Sequence, residues 1–177
     1  VEALGWFRED RQVAATLISM ARQGDPSYYV ESALATALGR CRAPRARALL
    51  TTSLQKESHL EVIRSGAYNG FAALADPQDL PAIKAGLRWS APPLSRSAAI
   101  NAAAELARQH LHLRPEVLEM LTPIAEHRDD PAGSFRGKLA VLRAIEKIGD
   151  LAALPLLNRI AAQEADGRLV RLARLAA

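Results

Sequence analysis

The chain has 177 residues and a formal charge of +4 from 23 basic and 19 acidic residues; 49% of it is hydrophobic but only 5% aromatic. That balance favours helices packed through Ala and Leu over a sheet, because strand-forming residues are sparse, and the length suits one domain or a short array of small units. The charge is mild and equally spread over both halves, one cysteine excludes an internal disulfide framework, and no apolar run approaches the ~20 residues that span a bilayer. These features argue against a nucleic-acid partner and a membrane, and are compatible with a reducing, cytoplasmic setting.

Val1 opens the stretch "VEALG", which reads as the last turns of a helix that begins earlier, so a fragment of a longer chain is expected. Ala14, Leu17, Ile18 and Ala21 then form an apolar stripe at helical spacing. In "DPSYYVESALATALG", Asp25 is the expected N-cap, Pro26 the first helical residue and Gly39 the left-handed stop. The stripe of that helix is Val30, Ala33, Leu34, Ala37 and Leu38. Tyr29 extends it backwards by four residues and is expected in the core. Tyr28, about 100° away, is left as a candidate contact residue.

The same stripe recurs at Ile63, Gly66, Ala67, Gly70 and Phe71, at Ser95, Ala98, Ala99, Ala102 and Ala103, and at Gly137, Ala140, Val141, Ala144 and Ile145. Its third position, after Val30, Ile63, Ser95 and Gly137, is always small: Ala33, Gly66, Ala98 and Ala140. A second helix follows each first one, with stripes such as Ala46, Leu49, Leu50 and Leu54, or Val117, Leu118, Leu121 and Ile124. Pro81 and Pro155 sit at one repeat offset, in the first turn of a second helix. The last interval is longer, and the extra residues are expected as an insertion at 107–115. A helix pair repeating every 32 to 34 residues defines an all-α fold, an α-solenoid superhelix of helix-pair repeats. The expected arrangement is one domain over 1–177 with repeats at about 1–24, 25–58, 59–91, 92–129 and 130–165 and a partial one at 166–177. Such arrays bind on the concave face lined by second helices.

Catalytic motifs are absent: there is no H-E-x-x-H, C-x-x-C, G-x-S-x-G, Walker loop or G-x-G-x-x-G. His110 and His112 could begin a metal site only if His127, Asp129 or Asp130 folded back to complete three or four ligands; solvated loop histidines are the expected reading. Cys41 lies between Arg40 and Arg42, which could activate a thiol, but Leu or Ile holds its position in other repeats, so a buried small hydrophobe is expected. Arg40, Arg42, Arg45 and Arg47 form a basic cluster with no intervening acid, and Lys84, Arg88 and Trp89 follow on the next second helix. On a concave face these could hold carboxylates, phosphates or acidic partner loops; the competing reading is a solvated rim. Arg168, Arg171 and Arg174 line one side of the last helix.

The Asp-Pro punctuation at Asp25, Asp76 and Asp130 with the Ala-rich stripes resembles compact HEAT repeats. More narrowly, "DPSYYVESALATALGRCRAPRA", "HLEVIRSGAYNGFAALADPQDLP" and "SRSAAINAAAELA" together resemble the C-terminal helical domain of bacterial aminopeptidase N-family zinc metallopeptidases, over roughly residues 1–165. This chain departs from that pattern in the expected insertion and in Ala72, Ala104 and Glu146, which stand where a glycine recurs. The resemblance implies a non-catalytic domain that packs on the catalytic domain of its own parent chain and encloses the chamber that receives peptide substrate. Zinc and the H-E-x-x-H residues would belong to that other domain, so no catalytic, cofactor or metal residue is expected here. A free-standing scaffold that binds protein partners is the alternative. A DNA glycosylase resembling the HEAT-like alkylpurine enzymes is a third reading, resting on Trp89, Arg88 and Arg45.

Overall fold

The computed structural model describes residues 1–126 and 134–177, and the side chain of Ser134 is not among what it describes. The chain divides into two compact units, Val1–Ala102 and Ala103–Ala177. Among the described residues there are ten α-helices and no strand, and no helix is long and apolar enough to cross a membrane.

Unit 1 opens with a short 3₁₀ turn, Glu2–Trp6, followed by α1 (Arg11–Gln23), α2 (Tyr28–Cys41), α3 (Ala46–Leu54), α4 (Val62–Leu74) and α5 (Leu80–Leu87); α6 (Arg96–Gln109) begins in it. Asp10 caps α1 by accepting from the Gln12 and Val13 amides, both at 2.9 Å, and Gly24, at φ 73°, follows its end. Asp25 does not cap α2. Its carboxylate closes a tight turn by accepting from the Ser27 amide at 2.8 Å, which leaves Ser27 extended and starts the helix at Tyr28. Gly39 is not the stop either, because α2 continues to Cys41 and Arg42 takes the left-handed conformation at φ 53°.

Gly39 instead serves the packing of α2 against α4, the closest helix pair of the unit. A Cβ at Gly39 would lie 2.6 Å from the Gly70 Cα, and one at Gly66 would lie 2.6 Å from the Ser32 Cα. Two glycines therefore let two backbones touch where any side chain would hold them apart. The stripes point into this seam: Leu34, Ala37, Leu38, Ile63, Ala67 and Phe71 are all buried. Leu17 of α1 and Leu50 of α3 close the core from the second-helix side.

Unit 2 contains the end of α6, then α7 (Arg114–Glu126), α8 (Ser134–Ile148), α9 (Leu154–Gln163) and α10 (Gly167–Ala176). Val117, Leu121, Val141, Ile145, Leu157 and Leu169 form its core. Residues 107–115 hold no inserted loop. The connector from α6 to α7 is 110–113, with a 3₁₀ turn at Leu111–Leu113, as short as the 42–45 connector between α2 and α3. Part of the added length lies in α7, which has 13 residues against 9 in α3 and 8 in α5. The repeat boundary expected at 129/130, with Asp130, lies outside the described residues. Pro81 and Pro155 do stand in the first turns of α5 and α9, where a missing amide hydrogen is harmless.

Candidate interaction surface

The second helices of unit 1 share one chemical property. α1 (RQVAATLISMARQ), α3 (ARALLTTSL) and α5 (LPAIKAGL) contain cations and not one carboxylate. Between α1 and α3 lies an open cleft of about 510 Å³, with Ala15, Ile18, Ser19, Arg22 and Gln23 on one wall and Pro44 and Arg45 on the other. Arg45 precedes α3 in the left-handed conformation, φ 65°, so the loop backbone fixes where its side chain leaves the chain. Neither Arg22 nor Arg45 makes an ion pair with any described residue. Its lining combines aliphatic Ala15, Ile18 and Pro44 with polar Ser19 and Gln23 and two cations, and no acid lines it.

The remaining candidates are dispersed. Arg40 lies over the Trp6 ring at 4.9 Å, and Arg42 is exposed at the end of α2. Arg47 is an internal tie: its guanidinium reaches Asp76 at 2.6 Å, Asp79 at 2.5 Å and the Gln78 amide oxygen at 2.6 Å. Asp79 is almost wholly buried; burial pushes its carboxyl above the ordinary range although Arg47 pulls it down, and its Oδ2 has no hydrogen-bond partner. Lys84 is exposed on α5, whereas Arg88 falls just past the helix end rather than on it. Trp89 is half-exposed under the Arg96 guanidinium, 4.6 Å from the ring centre. Tyr28 is 45% exposed, and Tyr29, expected in the core, is 71% exposed. Val30 and Ala33 are half-buried and the stripe is fully buried only from Leu34 inward, so the first turn of α2 runs past its packed part.

Sequence reasoning therefore reached Arg45 but missed Arg22, Ile18 and Pro44 beside it. The available signal was the acid-free composition of three successive second helices. Cys41 is fully buried, with its thiol donating to the Phe7 carbonyl at 3.2 Å, and burial raises its pKa; Arg40 is turned to Trp6 and does not activate it. His110 and His112 meet edge-on at 6.0 Å. Among the described residues no three His, Cys, Asp or Glu side chains cluster as metal ligands, and His127, Asp129 and Asp130 lie outside the described residues.

Unit 2 has a cleft of similar size, about 480 Å³, between α7 and α9. Its charges neutralise one another: Lys138 pairs with Glu164 at 2.6 Å and Arg159 with Glu126 at 2.9 Å.

Within each unit helices alternate and first members pack side by side, α2 on α4 and α8 on α10, and this all-α plan of repeated helix pairs is that of an α-solenoid, a helical-repeat protein. The sequence model of HEAT repeats matches residues 14–104, just over half of the chain. The chain belongs to the HEAT-repeat family. A search of curated proteins finds no match.

Proposed function

We propose that this chain is a non-catalytic helical scaffold that binds a protein partner on the second-helix face of unit 1. The observation behind it is the run of α1, α3 and α5 without a carboxylate, opened by a cleft whose two arginines make no ion pair with a described residue. Charge left unpaired on one face steers association and selects complementary partners. The test is an assay of the 177-residue chain on aminoacyl amides with and without zinc. No turnover is expected, and zinc-dependent hydrolysis would overturn the reading.

A narrower reading rests on the three segments at 25–46, 59–81 and 95–107 that resemble the aminopeptidase C-terminal domain. In it the partner is the zinc-bearing catalytic domain of the same parent chain, in the cytoplasm, and this domain walls the peptide chamber. The reading frame upstream of Val1 decides it. An H-E-x-x-H motif there is expected, and a start codon immediately before Val1 would remove this reading while leaving the scaffold intact.

A further inference from the structure

We propose that the α1–α3 cleft of unit 1 binds an acidic peptide segment, with an aliphatic side chain seated on Ile18, Ala15 and Pro44 and flanking carboxylates held by Arg22 and Arg45. This rests on the scaffold reading and names the chemistry of the partner. Three observations lead to it.

The first is charge. Three other arginines of the second helices are committed internally: Arg47 to Asp76 and Asp79, Arg114 to Asp150, and Arg159 to Glu126. Among the described residues Arg22 and Arg45 have no such partner, and they face a common cleft without an acid in its lining. A guanidinium fork matches a carboxylate in two-point geometry, which gives direction as well as attraction. The second is preorganisation. The backbone at Arg45 is held left-handed after Pro44, and Arg22 sits in the last turn of a helix capped at its N-terminus by Asp10. Less freedom remains to be lost on binding than for arginines on a mobile loop. The third is the size and mixed lining of the cleft: about 510 Å³, with Ala15, Ile18 and Pro44 beside Arg22 and Arg45, within the range that accepts a few side chains. No aromatic residue lines it, so it lacks the stacking platform that single-stranded nucleic acid uses, and two cations do not make the stripe that a duplex backbone needs.

The test is fluorescence anisotropy with a labelled peptide of about ten residues alternating Glu and Leu, against the same peptide with Gln for Glu. The acidic peptide is expected to bind the full chain at least about ten-fold more tightly, with affinity falling as salt rises. The double variant Arg22→Glu/Arg45→Glu is expected to lose about ten-fold or more and to gain affinity for a Lys–Leu peptide, a reversal that misfolding would not produce. Arg171→Glu/Arg174→Glu on α10 changes charge equally and is expected to leave binding unaltered. Equal binding of the Glu and Gln peptides, no effect of the cleft variant, or an equal effect of the α10 variant would each overturn the proposal. So would displacement of the peptide by duplex DNA with the affinity of a specific ligand, or self-association abolished by the cleft variant, which would make a second copy the occupant. A protein partner whose binding survives Arg22→Glu/Arg45→Glu would remove the cleft and leave the scaffold reading in place.

Discussion

The two units use the same helix-pair plan with opposite local solutions. In unit 1 the backbone takes the left-handed region at six non-glycine residues, Glu9, Arg42, Arg45, Leu60, Glu61 and Ala75; among the described residues of unit 2 only a glycine, Gly149, does so. Unit 1 also brings α2 and α4 into backbone contact through Gly39 and Gly66, whereas Gly137 of α8 has nothing nearer than Ile124 Cγ2 at 3.4 Å. The second helices differ in part: α7 carries Glu116, Glu119 and Glu126, whereas α9, like α1, α3 and α5, carries no acid. Left-handed non-glycine residues cost roughly 1–2 kcal/mol each and persist only where surrounding packing over-determines them. Close packing in unit 1 thus supports sharp turns that place specific side chains, and the described residues of unit 2 show neither such a glycine seam nor a left-handed non-glycine turn.

The largest effect should come from the seam. Gly39→Ala or Gly66→Ala drives a methyl into backbone, which cannot swing aside, and a loss of about 3 kcal/mol is expected in urea unfolding. Gly137→Ala, with ordinary contact distance around its new methyl, should instead be neutral or stabilise by up to about 1 kcal/mol through helix propensity. If Gly137→Ala were as damaging as Gly39→Ala, the difference between the units would be broken.

Next is the Arg47 tie. Arg47→Ala leaves both oxygens of buried Asp79 without a cation, a loss of about 2–3 kcal/mol. Arg114→Ala in unit 2, whose Asp150 contact is 3.9 Å, should cost about 1 kcal/mol or less. The pH dependence has a definite sign. The folded pKa of Asp79 is raised by burial, so its contribution is most favourable in acid and is lost as pH rises through that value. Removing Arg47 raises it further, so the penalty of Arg47→Ala, measured by unfolding across pH, should be largest near neutrality and shrink toward acid.

Unit 2 responds to acid in the other direction. Lys138 holds Glu164 below the usual carboxylate range; burial pushes Glu105 up, but Lys147 and Arg108 outweigh it; Arg168 holds Asp166 down to about 2. Lowered folded values contribute stability above the unfolded pKa and lose it as pH falls, here from about pH 4 downward. Hydrogen exchange corrected for intrinsic rates should show α8 to α10 losing protection in acid before α2 and α4, with Glu164→Gln reducing that loss by about 1 kcal/mol or less. Earlier loss in α2 and α4 would reverse the comparison.

The fold was legible because burial repeats with the helix pair: Leu34, Ala37, Ile63, Ala67, Ala99, Val141 and Ile145 were all placed by register and all are buried. What failed were the helix ends. Asp25 looks like a cap in sequence, but its carboxylate can as well close a turn to Ser27, and only the path of the chain chooses. Gly39 permits two roles, a left-handed stop or a close approach, and the presence of Gly70 across the seam selects the second. The surface was legible only as composition. Register could not tell that Arg47 reaches the turn of the next repeat while Arg45, two residues earlier, opens onto a cleft.

That difference gives the smallest and most selective test. Arg42 is exposed and left-handed at the end of α2, where its amide donates to the Gly39 carbonyl at 3.1 Å. Glycine meets the same backbone geometry without a Cβ penalty, so Arg42→Gly should stabilise the chain by about 0.5–1 kcal/mol, read as a raised urea midpoint at unchanged slope. Arg42 is outside the cleft lining, so the acidic peptide should bind this variant as it binds the parent chain, apart from a small salt-dependent change from losing one nearby charge. A destabilised Arg42→Gly would mean that its side chain, rather than its backbone, holds the turn. The sharp turns of unit 1 would then be maintained by their arginines and not by the seam beneath them.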